Sequence, residues 1–403
     1  MPIADLRRPT GRQQAGGHQH DRTEDAPEGG LLPASGFFRS TRSHGRRWLV
    51  DPEGCLFIHR GVVSVRENRT EEGRQAKLES YGSPENWAAE TVRLLKRNGF
   101  NGTGAWTDDV SLQATGDGLV YTRLWNFMST YGKKRGGTYQ KSGHAGYLGD
   151  CPFVFDPEFP AFCDEYARQL SATKDDPWLL SHFTDNELPW SRKMLEKHLS
   201  LPEKDPGREA AENWLRERHG PGATARNITG EDRQDFLEFA VDRYFSITAA
   251  AIRRHDPNHM VLGAGFHGEA LKLPEVFHAA GRSVDVVSVN YYRAWRPDPG
   301  LLQSWSEESG WLVRTQADRG LFYQNFTLVL LESPVCVGWH WFKYADNDPA
   351  DRMADPSNRD SNKGIVSNRY REYQELPDSM RKLKTRAYGL IRHFDEGRAA
   401  AAP

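Results

Sequence analysis

WLLSHFTDNELPW, residues 178–190, decides how the rest of the chain is read. Trp178, Leu179 and Leu180 open it as a continuous apolar run, the pattern of a parallel strand buried on both faces. Asp185, Asn186 and Glu187 close it. Polar residues gathered at the carboxyl end of such a strand stand where barrel enzymes keep their chemistry. Glu187 is therefore the first catalytic candidate: an Asn just before a Glu can hold a sugar hydroxyl while the carboxyl reaches the glycosidic oxygen. Trp190 would add an apolar face for the sugar. Against this, Asp, Asn and Pro also build plain turns, and Asp185, Asn186 and Pro189 would suffice for one.

The flanking sequence alternates strand and helix. A turn at Asp51, Pro52, Glu53 and Gly54 joins two apolar segments as a hairpin, and LFIHRGVVSV (56–65) reads as the first barrel strand. Ser83 caps a helix with Pro84 at its first position, Trp87, Ala88, Thr91, Leu94 and Leu95 on one face, and Gly99 as its stop. FNGTGAW (100–106) follows as a strand, completing a βαβ unit with parallel pairing. VYTRLWNF (120–127) is a third strand, ending in Trp125 and Asn126, and a Gly-rich loop follows it. A helix opened by Asp156 and Pro157 leads into residues 178–190 as strand four. Residues 191–230 form a charged insertion in a βα loop. A long helix with Phe236, Ala240, Tyr244 and Ala251 on its buried stripe precedes strand five (260–266, ending at His267) and strand six (284–292, ending in Asn290, Tyr291 and Tyr292). A helix over 321–329 and the strand VCVGWHWFKY close the series. The expected fold is α/β, a (β/α)₈ barrel. Its expected limits are residues 36–395, with unstructured segments at 1–35 and 396–403.

Composition narrows the function. The 403 residues carry a net charge of −2, so nothing favours a nucleic-acid partner, which demands a basic face. Mean hydropathy is −0.73, and no run of about eighteen apolar residues proposes a membrane span. Cys55, Cys151, Cys163 and Cys336 are too scattered for a zinc site or a disulfide framework. The amino terminus lacks the apolar core of a secretory signal, so cytoplasmic residence is expected, or secretion if the true start lies upstream. Twelve Trp suit sugar stacking, although core packing claims most.

RRWLVDPEGCLFIHRGV, HFTDNELPW, RTQADRGLFYQNFTLVLLE and VGWHWFKYADNDPADRMADPSNRDSNKGIV, in that order, resemble glycoside hydrolase family 50, the β-agarases, over residues 36–394. The resemblance implies a retaining glycosidase on a barrel, acting on β-galactosidic bonds of agarose-like galactans, with no cofactor. It makes Glu187 the acid/base and Asn186 its partner, and it implicates Tyr292, Trp339 and Trp341 as neighbours of the sugar. It also places a nucleophilic Glu at the end of strand seven, and no such segment is present: QSWSEESG runs straight into WLVRTQADRG. Forty-five residues separate Asn290 from Val335. A strand, its crossover helix and the next strand take about 30, so two units do not fit and the barrel is expected to be incomplete at strand seven. Three readings stay open. A deletion in the recorded gene would leave an ordinary hydrolase behind it. Residues 311–315 slipping into the strand-seven place would put Glu307 and Glu308 at the wrong end, about 16 Å from the chemistry. A pseudoenzyme would bind sugar without cleaving it.

The remaining candidates lie at strand ends. His267 and Asn126 would hydrogen-bond substrate, Asp346 and Asn347 would touch sugar from a loop over the cleft, and Arg60 would point inward from strand one toward a carboxylate. Glu269 is a further carboxylate on that face, more plainly a solvated loop residue. His182 is a weaker lining candidate. Trp106, Trp125 and Trp295 end or follow strands and compete with Trp339 and Trp341 for subsites. The oxygen-rich stretch 346–360 lacks the spacing of a calcium loop, so no metal is expected.

Overall fold

The structure, a computed structural model, describes residues 32–141, 144–291, 313–351 and 361–401. Strands β1 (Arg39–Ser43), β2 (Arg46–Val50) and β3 (Leu56–Phe57) form a small antiparallel sheet. The Asp51 carboxylate accepts from the backbone of Glu53 and Cys55, closing the β2–β3 turn where the sequence places it. The predicted first barrel strand divides: β3 stays in this sheet, and β4 (His59–Val62) begins the main one.

The main sheet continues with β5 (Gly102–Thr103) and β6 (Val120–Leu124). After the antiparallel pair β7 (Thr138–Lys141) and β8 (His144–Tyr147), part of what reads in sequence as a Gly-rich loop, it resumes with β9 (Leu179–Phe183), β10 (Met260–Val261) and β11 (Gly338–Trp341). The order is β10-β9-β6-β5-β4-β11, parallel throughout. Beyond β10 a parallel bridge, Phe266 to Val289, marks the sixth position. Among the described residues no strand stands between Val289 and Gly338, and β11 pairs with β4. Over the described residues the fold is thus an incomplete (β/α)₈ barrel, with no strand at the seventh position.

Helices cover its outer face for the reasons written in their ends. Ser83 Oγ accepts from Asn86 N at 3.2 Å, Pro84 opens Pro84–Arg97, and Gly99 leaves it at a φ of +74°. Such a cap is worth about 1 kcal/mol, less than burying Trp87, Val92, Leu94 and Leu95, at roughly 2 kcal/mol each. Thr229 with Asp232 and Thr315 with Asp318 form capping boxes at Gly230–His255 and Gln316–Glu332. Val313 and Arg314 lead into the second of these and form no strand. The charged insertion is itself helical, Met194–Leu199 and Pro206–His219, and docks on the long helix through Trp214 against Phe236 and an Arg233–Glu196 ion pair. At the carboxyl end, where an unstructured tail is expected from 396, the Ala-rich sequence continues the helix Ala387–Ala401. No described helix is long and apolar enough to cross a membrane.

Inside the sheet the space is taken by histidines and glycines. His59 on β4 and His340 on β11 meet edge to face, with His340 Nε2 and His59 Nδ1 3.1 Å apart. A Cβ on Gly102 would stand 2.0 Å from His59 Nε2, and one on Gly104 2.5 Å from His340 Nδ1. Burial holds both imidazoles below the usual histidine range, His340 at about 4.

Candidate active site

Four parallel strands in a row end in a residue with left-handed backbone that is not glycine. Ser64 follows β4 with φ 54°, Trp106 follows β5 with 59°, Asn126 follows β6 with 60°, and Glu187 follows β9 with 54°. Each such residue costs on the order of 1 kcal/mol or more and persists where the surroundings hold it, typically at functional sites. The carboxyl edge of this sheet is therefore its candidate working face.

At Glu187 the holding groups are identifiable. Its backbone N–H donates to Ala264 O at 3.1 Å, and Thr184 N donates to Gly263 O at 2.8 Å, tying the turn to the segment after β10. Asn290 Nδ2 donates both to Glu187 Oε1 at 2.8 Å and to Asn186 Oδ1 at 2.9 Å. Gly265, with φ +46°, passes so close that a Cβ there would lie 3.0 Å from Asn290 Oδ1 and 3.2 Å from Asn186 Oδ1. Asn186, Glu187 and Asn290 are all half-buried, so the carboxyl is oriented by protein yet open to a ligand. Asp185 plays a different part. Fully buried, it accepts from Met128 N, Ser129 N and the Tyr244 hydroxyl, and so binds the Glu187 turn to the start of the helix Phe127–Arg135 that follows Asn126. Burial pushes its carboxyl up to about 7 against these three bonds.

Asn126 is half-buried, immediately ahead of that helix, and His267 shares a 3.3 Å contact between its Nδ1 and Asn290 O. Both therefore sit on the Glu187 side of the mouth. Tyr292 and Trp295 lie outside the described residues. Asp346 stands at the rim past β11, its two oxygens engaged by Gly364 N and the Tyr373 hydroxyl. Asn347 donates to Ser361 Oγ. Glu269 is exposed and accepts from Arg192 N, as a loop residue would.

Three expected neighbours of the sugar face the other way. Arg60, Trp339 and Trp341 lie on the outer side of their strands. Arg60 rests over the Tyr388 ring with its Nη1 3.5 Å from Lys384 O, Trp339 donates to the Tyr323 hydroxyl, and Trp341 donates to Lys363 O and packs on Tyr323. The reason is strand parity: His59 and His340 take the inward positions, so residues 60, 339 and 341 must turn toward the helices. Trp190 is also corrected, being buried against Tyr244 rather than offered to a ligand. The aromatic pair at the mouth is instead Trp106 with Phe342, ring centres 6.3 Å apart.

His182 is fully buried, with Trp125 Nε1 at its Nδ1 and Asp256 at its Nε2; Asp256 also binds His259, which reaches Asp176 O. These three side chains lie close enough for a metal ion, but their polar atoms are already committed to one another and to Trp125 and Asp176. Asn290 is the residue that sequence reasoning passed over. Its signal was its place at the end of strand six.

No protein-family model matches the chain. It is 25% identical to β-agarase B of Vibrio sp. (strain JT0107), over 90% of the chain and 49% of that protein. It is 27% identical to β-agarase A of the same organism, over 77% and 37%. The chain spans about half the length of the first and little more than a third of the second. The first alignment runs to 475 residues, more than the 403 of the chain, so that relative carries segments within the match that are lacking here. Among solved structures, BpGH50 superposes with a TM-score of 0.79 at 26% identity, covering 94% of this chain and 90% of its own. An exo-β-agarase has the same fold, with a TM-score of 0.72 at 21% identity over 90% and 66%.

Proposed function

We propose that this chain, a β-agarase-like protein of the glycoside hydrolase family 50 kind, binds agarose-like galactans and holds the acid/base half of a retaining glycosidase. The observation that carries the proposal is Glu187, held in left-handed backbone at the end of the fourth parallel strand with its carboxyl oriented by Asn290. Protonated, it would give its proton to the glycosidic oxygen; ionised, it would activate water. Asn186, Asn126, His267 and Tyr292 would hold sugar hydroxyls, and Trp106 with Phe342 offers an apolar face. Asp346 would act through the loop it braces.

Retention needs a second carboxyl about 5–5.5 Å from the first, on the family resemblance at the end of strand seven. No strand is described there, and Asn290 and Val335 are only 45 residues apart. Hydrolysis by this chain is accordingly expected to be slow or absent. The same gap favours a second reading, a carbohydrate-binding protein without turnover. Calorimetry with neutral agar oligosaccharides, followed by analysis of the mixture for shorter products, tests both. Binding with no release supports the second reading for this chain, steady release supports the first, and absence of binding removes both.

A further inference from the structure

The helix Phe127–Arg135 is capped from another strand rather than by the residue ahead of it. An Asn in that place ordinarily takes extended backbone and turns its own side chain back onto the N–H of the second or third helical residue. Asn126 does neither: its φ is 60° and its ψ 51°, and among the described residues its amide makes no hydrogen bond. The N–H groups left over at the helix start are accepted by the segment just ahead of Asn186 and Glu187. Phe127 N donates to Thr184 O at 3.1 Å, Met128 N to Asp185 Oδ2 at 2.8 Å and Ser129 N to Asp185 Oδ1 at 3.3 Å.

Register brings the two residues together. β6 and β9 run parallel with Leu124 beside Phe183, so Asn126 and Asp185 each stand two residues past a paired strand end. Asp185 is buried, with the Tyr244 hydroxyl donating to its Oδ2 at 2.7 Å, whereas Asn126 is half-buried. Two side chains thus compete for the same N–H groups, and the carboxylate, the stronger acceptor, holds them. The Asn126 amide keeps two donors and an acceptor for a ligand. If Asp185 let go, Asn126 could take the ordinary N-cap geometry, which relieves its left-handed backbone and spends its amide on Met128 or Ser129.

We infer that Asp185 is a positioning residue for sugar binding: by capping the helix in place of Asn126, it leaves the Asn126 amide free for a sugar hydroxyl. The inference rests on the carbohydrate reading above and deepens it. The ionisation of Asp185 then matters, because a carboxyl that takes up a proton accepts less well at the oxygen that carries it. Burial pushes this carboxyl up to about 7. The groups that face it, Tyr244 from Gly230–His255, Tyr147 from β8 and Cys163 from Phe159–Ala167, are raised by burial and stay uncharged near neutrality. Glu187, two residues on, is the other carboxyl of the same turn.

The test is calorimetry on the full chain with neutral agar oligosaccharides, run at pH 8 as a double-mutant cycle of Asp185→Asn and Asn126→Ala. Asn at 185 keeps the volume but sets a donor against one of the helix N–H groups. Each single variant should weaken binding about tenfold, the worth of one well-made hydrogen bond, and the double variant should also lose only about tenfold, since its second change removes a group already withdrawn. A roughly hundredfold loss in the double variant, or unchanged affinity in Asp185→Asn, overturns the inference and leaves the carbohydrate reading standing. The unaltered chain gives a second readout: affinity should fall about threefold or more from pH 8 to pH 6 as Asp185 takes up a proton, and the fall should vanish in Asn126→Ala. A fall that persists in Asn126→Ala belongs to another group, such as Glu187, and overturns the inference. This readout needs no change at Asp185, so it decides even where Asp185→Asn fails to fold. If no sugar binds the unaltered chain, the carbohydrate reading falls and takes the inference with it.

Discussion

The side-chain amide of Asn290 reaches Glu187 Oε1 at 2.8 Å across 103 residues of chain, and the same nitrogen reaches Asn186 Oδ1. One donor therefore fixes both groups expected to handle the glycosidic bond. Asn290→Ala should cost about 1–2 kcal/mol of stability by leaving two half-buried acceptors short of a donor, and should weaken agar-oligosaccharide binding about tenfold. Asn290→Asp should be worse than Ala on both counts, because it sets a second carboxylate against Glu187. Urea unfolding and calorimetry measure these effects. An Asp variant milder than the Ala variant would show that Asn290 does not orient Glu187.

The barrel interior makes a sharper demand at Gly102. A Cβ there would stand 2.0 Å from His59 Nε2 and 2.5 Å from Val120 O, and the second of these is backbone that cannot swing away. Gly102→Ala should destabilise by about 3 kcal/mol or prevent folding. Gly230→Ala is the control: it opens the helix Gly230–His255, nothing lies within 4 Å of the added Cβ, and it should be neutral or mildly stabilising. Chemical denaturation of the two variants compares them directly.

These relationships show what the sequence could and could not reveal. The helix Pro84–Arg97 was legible to its caps because Ser83, Pro84 and Gly99 act locally. Glu187 was legible because an apolar run ending in polar residues marks a strand end. Parity was not. A parallel strand buried on both faces shows no alternation of polar and apolar residues, so nothing in FIHRG or GWHWF told that histidine rather than Arg60, Trp339 or Trp341 turns inward. Asn290 was hidden for another reason: its partners lie a hundred residues away, and only the closing of the sheet brings them together. The insertion 191–230 resisted reading because its helices are highly charged and pack on the long helix, a contact that local sequence does not show.

Acid should loosen this protein through its buried histidines. Burial holds His340 and His198 at about 4, and it lowers His59 and His182 as well, while an unfolded chain titrates near 6.5. As pH falls, the unfolded state takes up protons first. The stabilisation is complete above 6.5, and for His340 and His198 it is lost between about 6.5 and 4, by roughly 1–3 kcal/mol each. Asp185 acts with the opposite sign, since its raised pKa makes stability fall as pH rises toward 7, but it is one group against several. Urea midpoints between pH 4.5 and 7 should therefore fall with acidification, and less steeply in His340→Gln. A flat profile would mean that the paired imidazoles accept a proton without penalty.

Catalysis gives the last prediction. If Glu187 is the acid/base, replacing it by Gln keeps the volume and keeps an oxygen for the Asn290 amide, so affinity for neutral agar oligosaccharides should stay within about threefold. What Gln removes is a titrating proton. Should the unaltered chain release product, a second carboxyl must serve the reaction, and Glu187→Gln should then reduce turnover by about 10²–10⁴-fold, the usual worth of general acid–base catalysis. Should the unaltered chain bind sugar and release nothing, the variant will match it, as expected if no carboxylate stands at the strand-seven place. Product analysis on the two proteins separates these outcomes. Unaltered turnover in Glu187→Gln would remove Glu187 from the reaction and move the search to the carboxylates past β11.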